Sequence, residues 1–425
     1  MVADLNAIPN GSEQLAFLSN DANSTERGDV VDRPEPADLG SMSETELLEE
    51  LGGICLLDFN PAKPQPPEST IRRRPRVRRV TQPARNVEPP TQQRQFAALA
   101  NQADLVGLPI LNESECQKSP EDVAELARLS RGMASLRLRA MRSSRLRAMS
   151  FSGSVFSLSD ELQMETELGR VLFEKSQPHA RSVAPLVQIL QVKSVRSRFD
   201  LVDLLSSIDG PEASHALADR ALFDLSADVR IAATQHLQRR DRDEFRSRLL
   251  TALRYPWPPA AYHAAKALVA LRDTDSISKL EALLDELDPR QPFVAEDDTW
   301  MKTELVRVNH LRNCLLCHPR SVSPRDRIRA AVPTPGRPLP ALYYQASSSD
   351  VVHADVTFLR QDFSIMQPVA DVGPWPGMQR FDFLVRTRPL TDDEVSQQAQ
   401  RKNGSSHTYP QREAVSTALQ RLSKW

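Results

Sequence analysis

The sequence predicts a fold dominated by α-helices, with a stack of helical pairs in the middle of the chain and a small β-containing segment after it. Three observations lead to this class. Similar helical segments recur at steps of 34 and 32 residues, and their apolar residues lie three and four positions apart. The first hundred residues, in contrast, are rich in proline, polar residues and charge, which is typical of a chain that does not pack.

Composition limits the classes of protein that the chain can form. Its 425 residues are 40% hydrophobic, and 32 prolines stand beside only 4 tryptophans and 5 tyrosines, so part of the chain is expected to be disordered. The net charge of −2 provides no whole-molecule attraction to nucleic acid. No stretch approaches the ~20 consecutive apolar residues that cross a bilayer. We therefore expect neither a membrane span nor a nucleic-acid partner.

Residues 1–100 are predicted to form a disordered region rich in proline and arginine. Their only apolar helix candidate is Glu44–Leu57, which an internal Gly-Gly pair weakens. The arginine-rich run 72–79 contains no aromatic residue for base stacking, which favours a solvated linker over a nucleic-acid site. Residues 101–175 are predicted to be a helical lead-in segment.

Residues 176–318 are predicted to form HEAT-like helical repeats, which together make an α-solenoid. Helices that follow a turn, with a Val-Arg pair or small residues at their start, are predicted at 194–208, 228–240 and 259–271. Their partner helices are predicted at 180–191, 211–224, 241–255 and 276–287. A single helical pair cannot bury its apolar face, so successive pairs indicate a stack in which each pair covers its neighbour.

The C-terminal part of the chain is predicted to change character. A final helix of the stack is predicted at 299–317, with Asp297 and Asp298 as its cap. Residues 319–392 are predicted to be a proline-rich loop and a small β segment, with strands at 351–359 and 381–387. Residues 393–425 are predicted to be a polar linker followed by a terminal helix at 411–422 that resembles a repeat helix.

One motif carries specific chemistry, namely Cys314-Leu-Leu-Cys317-His318. Two cysteines three positions apart on a helical turn can bond to the two vinyl groups of haem, and the adjacent histidine can then bind the iron as its proximal ligand. The motif therefore predicts a covalently bound c-type haem held by Cys314, Cys317 and His318.

Other chemistries are compatible with the same residues. His310, Cys314 and Cys317 lie at i, i+4 and i+7 of the predicted helix, and with His318 they make a two-Cys, two-His set for zinc. A dithiol redox pair is a second alternative, although no thioredoxin-like βαβ pattern surrounds it. A pair of buried structural cysteines at a helix end is the third.

A haem iron would also accept a sixth ligand. Met366 and Met378 follow His318 at distances at which small c-type cytochromes place an axial methionine, and His353 is a further candidate. A methionine ligand would favour electron transfer, whereas an open position would favour sensing of a small ligand. Each of these residues is also an ordinary core residue type.

No catalytic constellation stands out in the sequence. It contains no Ser-His-Asp order, no glycine-rich phosphate loop and no paired carboxylates, so we expect a protein that is not an enzyme. A stack of helical pairs instead predicts a protein partner bound on the solenoid surface.

Four stretches of the sequence resemble a known group of proteins. They are VRVNHLRNCLLCHP (306–319), VPTPGRPLPALYY (332–344), ADVTFLRQDFSIMQPV (354–369) and MQRFDFLVRTRPLT (378–391). They resemble large HEAT-repeat, cytochrome c-like proteins of planctomycete-type bacteria, and the resemblance extends over roughly residues 100–425. It implies that Cys314, Cys317 and His318 attach haem.

Two functions are therefore expected from the sequence. The first is a HEAT-like scaffold that carries a c-type haem for electron transfer or haem-based sensing, and this form is expected in the periplasm because bacteria attach haem outside the cytoplasm. The alternative is a haem-free scaffold for protein–protein interaction, with structural or zinc-binding cysteines, which is expected in the cytoplasm.

Overall fold

A computed structural model of the chain describes residues 41–57, 105–111, 113–116, 118–131, 179–321, 328–333, 351–370, 372–373, 375–400 and 408–425. All of them belong to one compact unit. Helices dominate the described part, and a small sheet accompanies them. Within these residues no helix is both long enough and apolar enough to cross a membrane.

Helices and strands follow one another in two blocks. The helices are α1 (Glu44–Gly52), α2 (Glu113–Cys116), α3 (Val183–Leu190), α4 (Val195–Ser206), α5 (Pro211–Phe223), α6 (Ala227–Leu237), α7 (Arg242–Ala252), α8 (Pro258–Ala270), α9 (Ile277–Leu283), α10 (Cys314–Cys317), α11 (Asp392–Gln400) and α12 (Pro410–Leu422). Residues 120–131 are also helical. The strands are β1 (Cys55–Leu57), β2 (Phe293–Val294), β3 (Trp300–Asn309), β4 (Arg329–Ala331), β5 (Val351–His353), β6 (Phe363–Pro368) and β7 (Met378–Pro389).

Helices α3 to α9 lie where the sequence predicts them, because their start signals are local. Ser194 caps α4 by accepting a hydrogen bond from the backbone N–H of Ser197, and Asp241 caps α7 in the same way from Asp243. Pro211 and Pro258 occupy the first positions of α5 and α8, where a missing N–H costs nothing. Consecutive helices pack as pairs, α3 on α4, α5 on α6 and α7 on α8.

The terminal helix α12 confirms the helix predicted at 411–422. It packs on α8 and α9, with Ala414, Val415 and Ala418 buried. The hydroxyl of Tyr262 on α8 donates to Glu413 at 2.9 Å. Helix α12 therefore returns to the helical block after the chain has formed the sheet.

The main sheet has the strand order β1-β3-β7-β6, with β2 also beside β3. Strands β3, β7 and β6 are antiparallel, and Val306 lies opposite Leu384. Strand β1 pairs with β3 in parallel orientation. A separate two-stranded sheet joins β4 to β5. The strand predicted at 381–387 is confirmed and extended by β7, whereas only residues 351–353 of the predicted strand at 351–359 form a strand.

The helix predicted at 299–317 is wrong. Its first half is strand β3, and Asp298 adopts a φ of 62° in the turn that joins β2 to β3 instead of capping a helix. The spacing of Leu305 and Val308 suggested one helical face, but in a strand these residues point to opposite faces. The predicted boundary at residue 318 between repeats and β segment is wrong for the same reason, since β3 precedes it.

The predicted disordered region 1–100 also needs correction. Residues 41–57 are folded, and Leu47 and Leu51 of α1 are fully buried in the largest apolar cluster. The capping box between Ser43 and Glu46 starts this helix. Local composition predicted disorder because the residues that bury Leu47 and Leu51 are distant in sequence.

One apolar core joins the helices to the sheet. Phe363 of β6 stacks on Phe223 of α5 at 4.9 Å and on Phe383 of β7 at 4.8 Å between ring centroids. Trp257, at the start of α8, stacks on the same ring at 5.6 Å. Nearby, the hydroxyl of Tyr255 donates to the carboxylate of Asp362 beside β6. The helical block and the sheet are therefore packed as one body.

Candidate functional site

The Cys-x-x-Cys-His motif lies directly after the long strand β3, at a tight turn that two asparagines hold. The buried side chain of Asn309 accepts hydrogen bonds from the backbone N–H groups of Leu311 and Arg312. The Nδ2 of Asn313 donates to the carbonyl oxygen of Asn309 at 2.7 Å. The short helix α10 then carries both motif cysteines. Sequence reasoning missed these asparagines, although asparagine before a turn is a familiar signal.

Both motif thiols face the protein interior. Cys314 is 3% exposed and Cys317 is 2% exposed. The Sγ of Cys314 donates to the carbonyl oxygen of His310 at 3.3 Å. Cys317 packs in an apolar cluster with Leu316, Phe358 and side chains of strands β3 and β7. Burial raises the pKa of the Cys317 thiol well above its ordinary value, so this cysteine is held as a neutral, unreactive thiol.

The imidazole of His318 is buried and neutral. Its Nδ1 donates to the carbonyl oxygen of Val356 at 2.6 Å, which leaves the lone pair on Nε2. Burial lowers the pKa of His318 to about 4, and the neighbouring His310 ring, 6.1 Å away between centroids, adds to this shift. A neutral imidazole whose Nδ1 is fixed in this way has the form of a metal or haem ligand.

The backbone after the motif is tied to residues 351–358. The carbonyl oxygen of Cys317 accepts from the N–H of Phe358, and that of Pro319 accepts from the N–H of His353, both at 2.9 Å. The N–H of Ser321 donates to Val351. These hydrogen bonds fasten the motif between the main sheet and the two-stranded sheet.

A buried carboxylate, Asp382 of β7, lies beside the motif and is fully inaccessible to solvent. Its Oδ1 accepts from Ser364 at 2.6 Å and from Arg380 at 2.8 Å, and its Oδ2 contacts the Nδ1 of His310 at 2.7 Å. Burial alone would raise the pKa of Asp382, but Arg380 and His310 together hold it well below its ordinary value. The carboxylate therefore stays ionised and orients the His310 ring.

The predicted zinc set is not assembled around a common point. Within the described residues, no group of three or more His, Cys, Asp or Glu side chains is arranged to hold a metal ion. His310 lies in the turn after β3, not on a helix with the cysteines, and its imidazole nitrogen is engaged by Asp382. The regular i, i+4, i+7 spacing assumed a helix that the strand β3 and its turn replace.

The predicted haem ligands fit a haem only in part. The tautomer of His318 suits an iron ligand, whereas thioether bonds require Cys314 and Cys317 to reach the edge of a porphyrin, and both thiols point into packed protein. The described contacts of the His318 imidazole include neither predicted sixth ligand. Met366 is half-buried in β6 opposite Arg380, and Met378 is 50% exposed at the start of β7.

The third candidate for a sixth ligand, His353, ends strand β5 and pairs with Arg329 of β4. Its Nδ1 lies 3.9 Å from a carboxylate oxygen of Asp355. This imidazole therefore has its own partner on the two-stranded sheet.

Comparison with protein-family models, with curated proteins and with solved structures gives no match for this chain. The resemblance carried by the CLLCH segment stays an expectation.

The burial of the cysteines predicts their reactivity. Cys55 is exposed, whereas Cys116, Cys314 and Cys317 are buried. With Ellman's reagent we expect one thiol per chain to react within minutes in the native protein. All four thiols are expected to react in guanidinium at about 6 M, a concentration that unfolds most proteins. The matched variant Cys55→Ser is expected to have no reactive thiol in the native protein and three in the unfolded protein. Fast reaction of Cys314 or Cys317 in the native variant would contradict the packing described above.

Proposed function

We propose that this chain is a HEAT-like repeat scaffold that binds a partner protein on the surface of its stacked helices, with Cys314, Cys317 and His318 as a buried structural junction. The polar contacts between successive helical pairs carry this proposal. A repeat stack places equivalent helices one repeat apart, so the residues that touch across neighbouring pairs should differ by about one repeat in sequence.

The polar contacts between neighbouring pairs have separations close to one repeat. Arg220 of α5 donates to Gln191 after α3, 29 residues earlier, and Ser214 of α5 donates to Glu244 of α7, 30 residues later. Arg254 after α7 forms a bidentate pair with Glu286 after α9, at a separation of 32 residues. These separations of 29 to 32 residues lie close to the sequence steps of 32 and 34 residues, which supports stacking of similar pairs.

The packing of α12 supports a fourth pair. Helix α4 packs on α6, α6 on α8 and α8 on α12, while α3 packs on α5 and α5 on α7. Helix α12 also packs on α9, as the second helix of a pair does. The fourth pair is therefore α9 with α12, and the sheet is inserted between its two helices. Helices α4, α6, α8 and α12 form what we call the second layer.

The second layer is the expected binding face. Among helices α3 to α9, the large apolar side chains that are exposed are Val195 of α4 and Ile231 of α6, at 37% and 38%. Exposed apolar side chains on neighbouring helices of one layer provide apolar area that a protein partner would cover. The other helices of the pairs, α3, α5, α7 and α9, instead expose polar residues such as His215 of α5.

Site-specific photo-crosslinking tests this function. A photoreactive amino acid at position 195 or 231, introduced in cells that make the protein, is expected to capture the same partner from both positions, and excess unlabelled protein is expected to compete it away. The same amino acid in place of His215 is the matched control and is expected to capture little. Absence of a competed crosslink from positions 195 and 231 would contradict the proposed binding face.

Haem attachment is the second candidate, and the fixed tautomer of His318 favours it. Protein exported alongside haem-maturation factors is expected to be colourless and of unmodified mass if the cysteines are structural. A Soret band that survives acid-acetone extraction would establish haem instead, provided that the added mass is lost in Cys314→Ala plus Cys317→Ala and retained in Cys55→Ala plus Cys116→Ala.

A further inference from the structure

Residues 41–57 form a short segment with its own boundaries, docked against the helices and the sheet. The Ser43–Glu46 capping box starts α1, and Gly53 ends it before β1 begins at Cys55. The next described residue after Leu57 is Leu105, so residues 58–104 connect the segment to the rest of the described chain. The segment has the form of a linear motif made of a helix, a Gly-Gly pair and a strand.

The surface beneath the segment combines two recurring modes of peptide recognition. Leu47 and Leu51 insert their side chains into the main apolar cluster, as an amphipathic helix does in a groove. The carbonyl oxygen of Leu48 accepts a hydrogen bond from Gln367 of β6. Strand β1 then extends the sheet by pairing in parallel with Val306–Val308 at the edge of β3. Asn313 adds a contact to the carbonyl oxygen of Leu57.

The charges of the two surfaces are complementary. Helix α1, ETELLEELG, contains four glutamates and no basic residue. Glu44 forms an ion pair with Arg198 of α4 at 3.3 Å, and the carboxylate of Glu50 lies within the electrostatic reach of Arg290. Arg198 is itself buried, where it also lies 3.2 Å from Asp224. Removal of α1 would leave the buried Arg198 with one carboxylate fewer.

We propose that the surface covered by residues 41–57 is a peptide-docking groove, and that its external ligand is an acidic amphipathic helix followed by a short apolar strand in a partner protein. This inference rests on the proposed scaffold function and names the chemistry of its partner. The segment occupies the groove from within the same chain, so its binding is intramolecular and does not depend on the protein concentration. An external ligand must therefore compete with it.

Fluorescence anisotropy with a labelled synthetic peptide of residues 41–57 tests the groove. The receptors are the full-length chain and the full-length variant Leu47→Asp plus Leu51→Asp, in which two buried charges are expected to release the internal segment. We expect the peptide to bind the variant at least about tenfold more tightly than the unchanged chain, because its groove is open. A peptide that carries the same two aspartates is the matched control and is expected not to bind.

A second measurement covers the case in which the double variant does not fold. A specific protease site is inserted between residues 58 and 104 of the full-length chain, and after cleavage native mass spectrometry follows the retained segment. Exchange with excess unlabelled peptide, but not with the aspartate peptide, supports the groove. A cleaved protein that unfolds, or one that keeps its segment without exchange, overturns it. Crosslinks from positions 195 and 231 would in that case still support the scaffold, so the two failures are distinguishable.

Discussion

Replacement of Phe363 by alanine is expected to lower the free energy of unfolding by about 3–5 kcal/mol, the range for a phenylalanine deleted from a packed core. Phe363 is 2% exposed and its ring stacks on Phe223, Phe383 and Trp257. The substitution removes all three contacts and leaves a cavity between the helices and the sheet. Urea denaturation of the variant and the unchanged protein measures the difference.

The matched control is Phe293→Ala. Phe293 of β2 is 41% exposed, so this substitution is expected to lower the free energy of unfolding by less than about 1 kcal/mol.

The same experiment tests whether helices and sheet form one cooperative unit. Far-UV circular dichroism reports the helices, and tryptophan fluorescence reports the tertiary packing, to which the buried Trp257 at the junction contributes. Because one core joins them, the two transitions are expected to coincide in both proteins. Separate transitions, or a loss in Phe363→Ala no larger than in the control, would contradict a shared core.

The helical block could be predicted from the sequence because its signals are local. Caps such as Ser194 and Asp241 and the prolines at the starts of α5 and α8 act within one turn of the helix that they start. The apolar spacing of these helices also records a single buried face.

The sheet and the N-terminal segment could not be predicted in this way, because their stabilising contacts are distant in sequence. Strand β3 pairs with β7, which lies some 80 residues further along the chain. Helix α1 is a nine-residue element whose leucines are buried by helices more than a hundred residues away. The local sequence of β3 or of α1 therefore does not indicate the distant residues that each of them packs against.

The surroundings of the candidate site were hidden for a similar reason. The motif itself was visible as a spacing of Cys314, Cys317 and His318, but its burial depends on Asn309 and Asp382 from the sheet. An acidic residue between two phenylalanines in the strand 381–387 was the available signal, since a charge in a buried strand requires partners. That signal indicates a buried ion-pair network, not the identity of its members.

Replacement of Asp382 by asparagine is expected to lower the free energy of unfolding by about 3–5 kcal/mol at pH 7, the usual cost of breaking a buried ion pair. The side chain keeps its size, but Arg380 loses its counter-charge and one of the acceptors for Ser364, Arg380 and His310 becomes a donor. The exposed Asp393 of α11 provides the matched control, Asp393→Asn, which is expected to change stability by less than about 1 kcal/mol.

The pH dependence provides an independent test of the same group. The pKa of Asp382 is depressed in the folded state, so its contribution is fully present above the unfolded-state value of about 3.9 and is lost as the pH falls below it. Other carboxylates with lowered pKa values, such as Glu304 and Asp273, contribute equally in both proteins and cancel in the difference. The gap in stability between Asp382→Asn and the unchanged protein is therefore expected to narrow from pH 5 to about pH 2.5.

A gap that stays constant over this range would show that ionisation of Asp382 does not stabilise the folded protein. This outcome would contradict the ion-pair network beside the motif. The network also predicts a coupling to the thiols, because Asp382 holds the His310 ring, which contacts the ring of His318, and the Sγ of Cys314 donates to the carbonyl oxygen of His310. In Asp382→Asn we expect Cys314 and Cys317 to react with Ellman's reagent faster than in Asp393→Asn, since local opening becomes easier as the network weakens. Equal reaction rates in the two variants would contradict this coupling between the Asp382 network and the motif thiols.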